Sequence, residues 1–286
     1  AISCVVNPAS GFEENYSREV IYSRSSSPQK VVIAGGGPAG MKAAELAARK
    51  GHQVVLLEKS DSLGGRVKLE SSLPGKKELA GTVRYLTSAL TNLNVDVRLN
   101  TEATEDKILA EKPDIVIIAT GANRLNNPGT FSIEDVLNNK VKGENVLVMD
   151  YDAGLEGTGA VEYLAGLGKT VHWVTAVFFN GQDNEVSTVL LPVYGRLGTR
   201  KVITHPMLVM VKFENGQATL LNPYFNRTET LSGIEAVVVT GLKAANNALY
   251  AGLKGKVENL FLIGDAAAPR DTAAALADAL SLSSNF

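Results

Sequence analysis

Hydrophobic and polar positions alternate in blocks along this chain, a short apolar run followed by a segment of helical period. The runs KVVIAG (30–35) and HQVVLLE (52–58) are short and rich in branched residues, which favours buried strands. The residues between them, from about Ala39 to Lys50, predict a helix. A second, amphipathic helix is predicted by apolar residues spaced by three and four, namely Leu79, Val83, Leu86 and Leu90. Strands separated by helices favour a parallel doubly wound sheet.

The same order continues and then recurs in the second half of the chain. VDVRL (95–99) and PDIVIIATGA (113–122) are further predicted strands. Residues 145–175 again predict a strand, a glycine-containing turn, a helix and a strand, which makes them an imperfect internal repeat of the first strand–turn–helix–strand unit. AVVVTG (236–241) and residues 258–280 close the chain with two strands and an alanine-rich helix. The predicted fold class is α/β, with two Rossmann-like dinucleotide-binding domains, the second inserted into the first.

This pattern also predicts domain boundaries. Residues 1–29 are expected to be a linker, because 5–30 are polar and irregular and SRSSSPQK (23–30) precedes the first strand. The first domain is predicted to comprise 30–128 and 241–286, and the second 129–240.

Composition narrows the possible partners. The 286 residues are 45% apolar, which suffices for two moderate cores, and the net charge of −2 without a long basic run argues against nucleic acid or an anionic membrane surface. No stretch approaches the ~20 apolar residues that span a bilayer, and the first thirty residues lack the order of a signal peptide. A single cysteine, Cys4, cannot form an internal disulfide. We therefore expect a cytoplasmic protein that binds small molecules or other proteins.

The first turn carries a dinucleotide fingerprint. Gly35, Gly37 and Gly40 form G-x-G-x-x-G: the first permits the tight turn, the second lets the backbone approach a pyrophosphate, and the third lets the helix pack on the strand. The phosphates would lie at the helix N-terminus. Glu58, which ends the next strand, can accept hydrogen bonds from both ribose hydroxyls of an adenosine. Flanked by two strands and this acid, the motif predicts an adenine dinucleotide.

Two further segments bear on which dinucleotide it is. SDSLGGR (60–66) places Gly64 and Gly65 where an extended ligand would pass, although such a pair can also be an ordinary turn. Asp265, in IGDAAAPRDTAAA (263–275), is predicted at the end of a strand just before a helix. An acid there can bond the ribitol hydroxyls of a flavin, while the helix N-terminus stabilises charge on the reduced ring. Asp265 can equally be a helix cap, and the residues alone leave both readings open.

Taken together, GGGPAG, Glu58, LGGR, IIATGA and LIGDAAAPR resemble the FAD-binding half of flavoproteins with two dinucleotide folds. More narrowly, they resemble the C-terminal half of the iron–sulfur flavoenzymes related to old yellow enzyme, the group of 2,4-dienoyl-CoA reductase, trimethylamine dehydrogenase and the N-methyl amine demethylases. The resemblance covers essentially the whole chain and implies the FAD- and NAD(P)-binding fold of the disulfide reductases.

The resemblance also implies cofactors and partners. In that family an N-terminal FMN-binding barrel is followed by cysteines that ligate a 4Fe–4S cluster, and Cys4 in ISCVVNP (2–8) matches one such ligand. The barrel and the other cysteines are absent from this sequence, so FAD here would exchange electrons with a cluster and FMN on another half of the enzyme. A homo-oligomer and an electron-transferring flavoprotein are further expected partners. Without the resemblance, Cys4 would be a structural or free thiol.

A set of cofactor-binding residues follows, with no catalytic residue assigned to this chain. They are Gly35, Gly37, Pro38, Ala39, Gly40, Glu58, Lys59, Gly65, Arg66, Thr120, Gly121, Gly264, Asp265 and Thr272.

The second fingerprint departs from the family pattern. Asp150 and Asp152 stand where the first two glycines are expected, so their side chains and charge would oppose a pyrophosphate. Thr175 takes the place of the ribose-binding acid, and Gly154 and Gly157 are left to turn and helix packing. We therefore expect no NAD(P)H binding in this domain, as in an amine dehydrogenase or demethylase.

Two alternative functions and one negative expectation complete the sequence analysis. ADP can replace FAD in the first site, as it does in trimethylamine dehydrogenase, which would make the chain a non-redox structural module. An NAD(P)H-dependent enoate or dienoyl-CoA reductase would need the second fingerprint intact. His52, His172 and His205 are expected to be isolated, without metal-ligand spacing.

Overall fold

The computed structural model describes residues 4, 6–125, 128–184 and 190–285. The chain divides into two compact units. The first unit takes the residues up to Ser71, Glu78–Asn123 and the residues from Lys243 onward; the second unit takes Ser72–Lys77 and Arg124–Leu242. Both contain parallel sheets with helices, which confirms the α/β class with one domain inserted into the other. None of the described helices has the length and apolarity needed to cross a membrane.

The helices are α1 (Arg18–Tyr22), α2 (Pro38–Arg49), α3 (Arg66–Glu70), α4 (Ala80–Asn92), α5 (Glu105–Ala110), α6 (Ile133–Leu137), α7 (Leu155–Gly166), α8 (Leu190–Leu197), α9 (Ala248–Leu253) and α10 (Thr272–Leu282). The strands are β1 (Lys30–Ala34), β2 (Gln53–Leu57), β3 (Asp96–Arg98), β4 (Ile115–Ile118), β5 (Ala122–Arg124), β6 (Asn145–Asp150), β7 (Thr170–Thr175), β8 (Val202–His205), β9 (Val209–Glu214), β10 (Gln217–Asn222), β11 (Arg227–Ser232), β12 (Ala236–Thr240), β13 (Lys243–Ala245) and β14 (Asn259–Leu262). A separate two-stranded ladder pairs β5 with β13.

The first unit is built on a parallel sheet in the order β14-β4-β1-β2-β3. Alternate residues of β1 enter different cores: Val31 packs with residues of α2 and α10 on one face, and Val32 packs with residues of α5 and α9 on the other. Burial on both faces explains why these strands read as continuous apolar runs. The alanine-rich face of α2 allows close approach to the sheet and to α10.

The segment before β1 is more ordered than its polar composition predicts. Ser17 caps α1 by accepting a hydrogen bond from the Val20 amide. Ala9 and Ile21 are buried and pack with Leu46 of α2 and Leu280 of α10. The expectation of an irregular segment over 5–30 was therefore wrong for its middle part, because five helical residues are too few to show a period.

The second unit contains a parallel sheet in the order β12-β6-β7-β8 and an antiparallel sheet in the order β11-β10-β9. The two share a core in which Leu147 and Val174 pack with Ala218 and Leu220. The antiparallel sheet was not predicted, although a local signal exists. Asn215 and Gly216 join β9 to β10 with positive φ at both residues, the conformation that two-residue hairpin turns need.

Candidate nucleotide-binding site

The candidate site lies at the carboxyl edge of the parallel sheet in the first unit. From β1 the chain runs to β2 and β3 on one side, whereas β4 and β14 lie on the other side, so the strand order reverses between β1 and β4. Ligands of open α/β sheets bind at this kind of reversal. Predicted site residues follow each strand that flanks it: Gly35 after β1, Glu58 after β2, Thr120 after β4 and Gly264 shortly after β14.

Two of the fingerprint glycines are required by packing. Gly35 has φ +108°, and a Cβ there would lie 2.3 Å from the Ala119 carbonyl oxygen. A Cβ at Gly40 would lie 2.0 Å from the Gly35 carbonyl oxygen. These two glycines therefore bring β1, β4 and α2 together around the turn.

Gly37 differs from both, because a Cβ there would meet no atom within 4 Å. It is the N-cap residue of α2, no described side chain caps that helix, and Pro38 occupies the first helical position. The unpaired amides of the first turn and the helix dipole make this opening suited to an anion. The turn thus has the space and polarity that a pyrophosphate requires.

Segments distant in sequence close around this opening. Gly65 has φ +50°, and a Cβ on it would lie 3.1 Å from the Gly37 Cα; the neighbouring Gly64 amide donates to the Gly36 carbonyl at 2.8 Å. Gly264 has φ +63°, and a Cβ on it would lie 2.8 Å from the Ala39 Cβ. The structure therefore brings the LGGR and IGD segments to the fingerprint turn.

Glu58 is buried at the end of β2, where its two carboxylate oxygens bind backbone amides. Oε2 accepts from the Gly36 amide at 2.6 Å and Oε1 from the Ser60 amide at 2.7 Å. A carboxylate oxygen can accept more than one hydrogen bond, so acceptor capacity for ribose hydroxyls remains. The adjacent Lys59 is exposed.

The position of Asp265 corrects one expectation and excludes one of the two interpretations of this residue, the cap of α10. β14 ends at Leu262, and Asp265 lies in a one-turn 3-10 helix, Gly264–Ala266. Helix α10 begins only at Thr272, and its cap is Asp271, which accepts from the Ala274 amide at 2.7 Å. Asp265 is therefore not the cap of α10.

Asp265 is instead held by two donors from the protein. Its Oδ2 accepts from Arg66 Nη1 at 2.9 Å and its Oδ1 from the Arg270 amide at 2.9 Å. Arg66 also donates from Nε to Glu70 at 3.1 Å. The structure thus joins two predicted site residues, Arg66 and Asp265, that are 199 positions apart.

Other predicted residues lie at the margin, and one participant was missed. The Thr120 hydroxyl donates to the Asn246 carbonyl at 2.6 Å, and the Asn246 amide donates to the Gly121 carbonyl at 3.0 Å. Cys4 is exposed. Asp278 was not predicted; its Oδ2 accepts from the Gly264 amide at 2.9 Å and pairs with Arg270. It is the one charged residue in α10, a signal that could have indicated its role.

The corresponding turn of the second unit is filled by a carboxyl group. Asp150 is fully buried and accepts from Trp173 Nε1 at 3.0 Å, while a Cβ at Gly157 would lie 2.1 Å from this carboxyl group. Burial, reinforced by neighbouring Asp152, holds the pKa of Asp150 well above its usual range. A raised pKa favours the neutral acid. The Asp150 carboxyl fills the space at Gly157, and the raised pKa weakens the charge argument made from the sequence.

The rest of this turn also serves the protein itself. Asp152 accepts from the Gly154 amide at 3.2 Å. Glu156, in the first turn of α7, binds both terminal nitrogens of Arg124 at 2.6 and 3.0 Å. Thr175 is fully buried, and its hydroxyl has no hydrogen-bond partner among the described residues. These residues do not fit an NAD(P)H dinucleotide.

Two of the three histidines are not isolated, contrary to expectation. His172 Nδ1 and His205 Nε2 are 3.0 Å apart with stacked rings, because β7 and β8 are adjacent in the sheet. His52 Nδ1 accepts from the Gln29 amide at 3.1 Å. Within the described ranges no group of three or more potential metal ligands occurs.

Comparison with known proteins agrees with this geometry. A family model described as FAD dependent oxidoreductase matches residues 30–103. The N,N-dimethylglycine/sarcosine dehydrogenase of Chromohalobacter salexigens is 31% identical over 100% of this chain and 48% of its own length. An NADH oxidase of Thermoanaerobacter brockii is 33% identical over 93% of this chain and 42% of its own. The solved structure of a 2-naphthoyl-CoA reductase superposes with a TM-score of 0.86 at 28% identity, over 99% of this chain and 43% of that one.

The fold, the site and the comparisons agree in their similarity to FAD-dependent oxidoreductases, and the fold contains two dinucleotide-binding-like units. The homologues of this chain are the C-terminal halves of enzymes similar to 2,4-dienoyl-CoA reductase and trimethylamine dehydrogenase, which confirms the resemblance seen in the sequence. The chain spans about half the length of the curated relatives it matches.

Proposed function

We propose that the first unit holds FAD, which exchanges electrons with a 4Fe–4S cluster and FMN on another half of the same enzyme. When bound, the flavin supplies a two-electron centre that can also pass electrons singly. The observation that carries this proposal is the opening at Gly37, flanked by Gly65 and by the buried carboxylate of Glu58. The name of the 31% identical relative supports an amine dehydrogenase or demethylase.

In this proposal each group of site residues binds one part of the nucleotide. The first turn of α2, with Gly37, Pro38, Ala39 and Gly40, binds the pyrophosphate, and Glu58 accepts from the adenosine ribose. Arg66 and Asp265 lie on the side of the flavin ribitol and hold each other in place before the ligand arrives. The remaining predicted residues, Gly35, Lys59, Gly65, Thr120, Gly121, Gly264 and Thr272, complete the surroundings of the ligand.

ADP alone is the second candidate, and a specific observation favours it. Both oxygens of Asp265 already accept hydrogen bonds from the protein, so ribitol hydroxyls would have to share them with Arg66 and the Arg270 amide. Glu58 also accepts one protein donor on each oxygen, but both of its donors are neutral backbone amides, whereas one donor to Asp265 is a charged guanidinium. In that case the nucleotide would be structural and take no part in redox.

An NAD(P)H-dependent reductase, of the enoate or dienoyl-CoA type, is the third candidate. It is motivated by the 33% identical relative named NADH oxidase. The buried carboxyl of Asp150 against Gly157 argues against a second dinucleotide in this chain. Anaerobic rapid mixing with NADH would support this candidate only if the flavin is bleached quickly.

The partners follow from the same proposal. Cys4 is exposed, as a ligand shared with a cluster on another half of the enzyme would need to be. We expect that half to be the direct redox partner, with an electron-transferring flavoprotein as acceptor, a homo-oligomeric assembly and a cytoplasmic location.

The test is the identity of the nucleotide that denatured protein releases. Stoichiometric FAD, recognised by its visible absorbance and by chromatography against FAD and ADP standards, is the expected result. ADP alone would overturn the redox role and establish the structural one. Protein carrying Gly37→Asp, purified in parallel, should release neither nucleotide.

A further inference from the structure

A cavity of about 380 Å³ lies within the second unit, away from its closed turn. Its wall includes residues of the 72–77 segment, the last turns of α7, the end of α8 and the turn that follows α8, namely Pro74, Gly75, Tyr163, Arg196, Leu197 and Arg200. Tyr163 belongs to the C-terminal end of α7, whereas Asp150 lies beside the N-terminal end of that 12-residue helix. The cavity is therefore separate from the place where a dinucleotide fold binds phosphate.

Two guanidinium groups line this cavity with most of their donors unused. Arg196 donates from Nε to Glu162 Oε1 at 2.6 Å, and Arg200 donates from Nη1 to the Ala165 carbonyl at 3.2 Å. No other hydrogen bond joins either guanidinium to a residue that the structure describes. Several N–H donors in planar, paired geometry therefore remain for a ligand.

A third cation lies beside them and is buried. Lys76 is only 7% exposed, and its ammonium has no hydrogen bond or ion pair within the described part of the chain. Burial lowers the pKa of Lys76, while Glu162 raises it and Arg196 lowers it further. Lys76 and Arg196 thus both lie near one carboxylate, Glu162. A buried ammonium without a hydrogen-bond partner is unfavourable, so an anion bound beside it would stabilise the protein.

Small residues keep the two arginines accessible. A Cβ at Gly75 would lie 3.6 Å from Arg196 Nη2, and a Cβ at Gly166 would lie 3.9 Å from Arg200 Nη1. Larger side chains at these positions would extend over the guanidinium groups. Pro74, Tyr163 and Leu197 provide an apolar wall next to them. The cavity therefore combines charge for an oxyanion with space and apolar surface for an organic body.

We propose that this cavity binds a small organic oxyanion, a phosphate or carboxylate group on a compact apolar body. Arg196 and Arg200 bind the oxyanion through paired N–H donors, as guanidinium groups do with planar or tetrahedral anions. Lys76 adds the charge that the single carboxylate of Glu162 does not balance. The apolar body of the ligand packs against Tyr163 and Leu197. This site is independent of flavin binding in the first unit.

Calorimetric titration with phenyl phosphate, benzoate and inorganic phosphate tests the site. Phenyl phosphate or benzoate should bind saturably to one site, and the stronger of the two identifies the head group; inorganic phosphate should bind more weakly because it leaves the apolar wall uncovered. Arg200→Gln should weaken binding about tenfold or more, the effect of losing one charged hydrogen-bonding group. Arg227→Gln, an exposed arginine on β11, is the matched control and should change nothing.

Two further variants keep the outcome decisive. Gly166→Leu retains both arginines but fills the cavity, and it should abolish binding while the melting curve followed by Trp173 fluorescence remains cooperative. Gly37→Asp blocks the first-unit nucleotide site and should leave binding of these anions unchanged. Absence of saturable binding by every probe overturns the proposal, as does equal weakening by Arg200→Gln and Arg227→Gln. Loss of binding in Gly37→Asp would show that the probes occupy the flavin site instead.

Discussion

The β1–α2 turn of the first unit and the β6–α7 turn of the second have the same strand–turn–helix order. The first turn is open, whereas the second is filled by a side chain. In the first, Gly37 leaves open space at the start of a helix that no described side chain caps. In the second, the buried Asp150 carboxyl occupies the space above Gly157 and binds Trp173. A dinucleotide fold can thus keep its strand–turn–helix architecture while a side chain fills the turn. The Asp150 carboxyl accepts from Trp173 and Thr240, and α7, like α2, is capped by no described side chain.

The largest expected effect comes from making the first turn resemble the second. Gly37→Asp should abolish retention of FAD or ADP, because a side chain and a negative charge would lie against the pyrophosphate. The fold should persist, since a Cβ at Gly37 meets no atom within 4 Å. Nucleotide content of the purified protein measures the effect. Gly195→Asp, at an equally open position in α8, is the matched control. A variant at Gly37 with full nucleotide content would show that the motif is only a turn.

Asp265→Ala separates the flavin end of the site from the adenosine end. If FAD is the ligand, its affinity should fall about ten- to a hundredfold, or roughly 1.5–3 kcal/mol for a charged hydrogen bond, while ADP affinity stays nearly constant. Titration of apoprotein with each nucleotide measures the difference.

The matched control for that experiment is Asp271→Ala, which removes the cap of α10. It should lower the melting temperature through a loss of about 1 kcal/mol and affect both nucleotides alike. Equal shifts for FAD and ADP in Asp265→Ala would contradict the flavin assignment of this residue.

The contribution of Asp150, in the β6–α7 turn, to the free energy of unfolding should depend on pH. The pKa of Asp150 is raised in the folded protein by burial and by Asp152, so the folded state keeps a proton that the unfolded state has lost. Its stabilising contribution is complete below the ordinary carboxyl pKa and is lost as pH rises toward the folded pKa, by at most about 1.4 kcal/mol per pH unit for one proton. Asp150→Asn should remove this dependence of the free energy of unfolding on pH.

Trp173 offers a direct readout of that pH dependence. It is the sole tryptophan of the chain and donates to Asp150, so its fluorescence reports melting of the second unit. Asp135 provides a contrast of opposite sign: hydrogen bonds from Ser132 lower its pKa, so Asp135→Asn should cost stability mainly above the ordinary carboxyl pKa. Parallel slopes in wild type and Asp150→Asn would show that Asp150 is ionised when folded.

The smallest expected effect is that of Glu58→Gln. One carboxylate oxygen becomes an NH₂ group opposite a backbone amide donor, since both Gly36 and Ser60 donate to Glu58. ADP binding should weaken by about 1 kcal/mol, or about fivefold, measured by calorimetry. Glu229→Gln, at an exposed position on β11, should bind ADP like the wild type. An unchanged affinity in Glu58→Gln would remove this residue from the site.

The sequence by itself determined the parts of this protein that depend on neighbours along the chain. Short, continuous apolar runs predicted the central strands β1, β2, β4 and β6, because parallel strands that are buried on both faces are hydrophobic along their whole length. The glycine spacing predicted the turn after β1, because tight turns and close helix packing require residues without Cβ atoms. The same spacing showed that, in the turn after β6, Asp150 and Asp152 stand where the first two glycines of the fingerprint are expected.

Only the tertiary structure decided which distant side chains meet and which protonation state burial favours. Arg66 and Asp265 form an ion pair across 199 positions, and His172 lies beside His205, because strand order and not sequence distance sets these contacts. Asp150 looked like a charge in the sequence, yet complete burial raises its pKa. Desolvation and long-range pairing depend on the packed surroundings of a residue, which no local pattern contains.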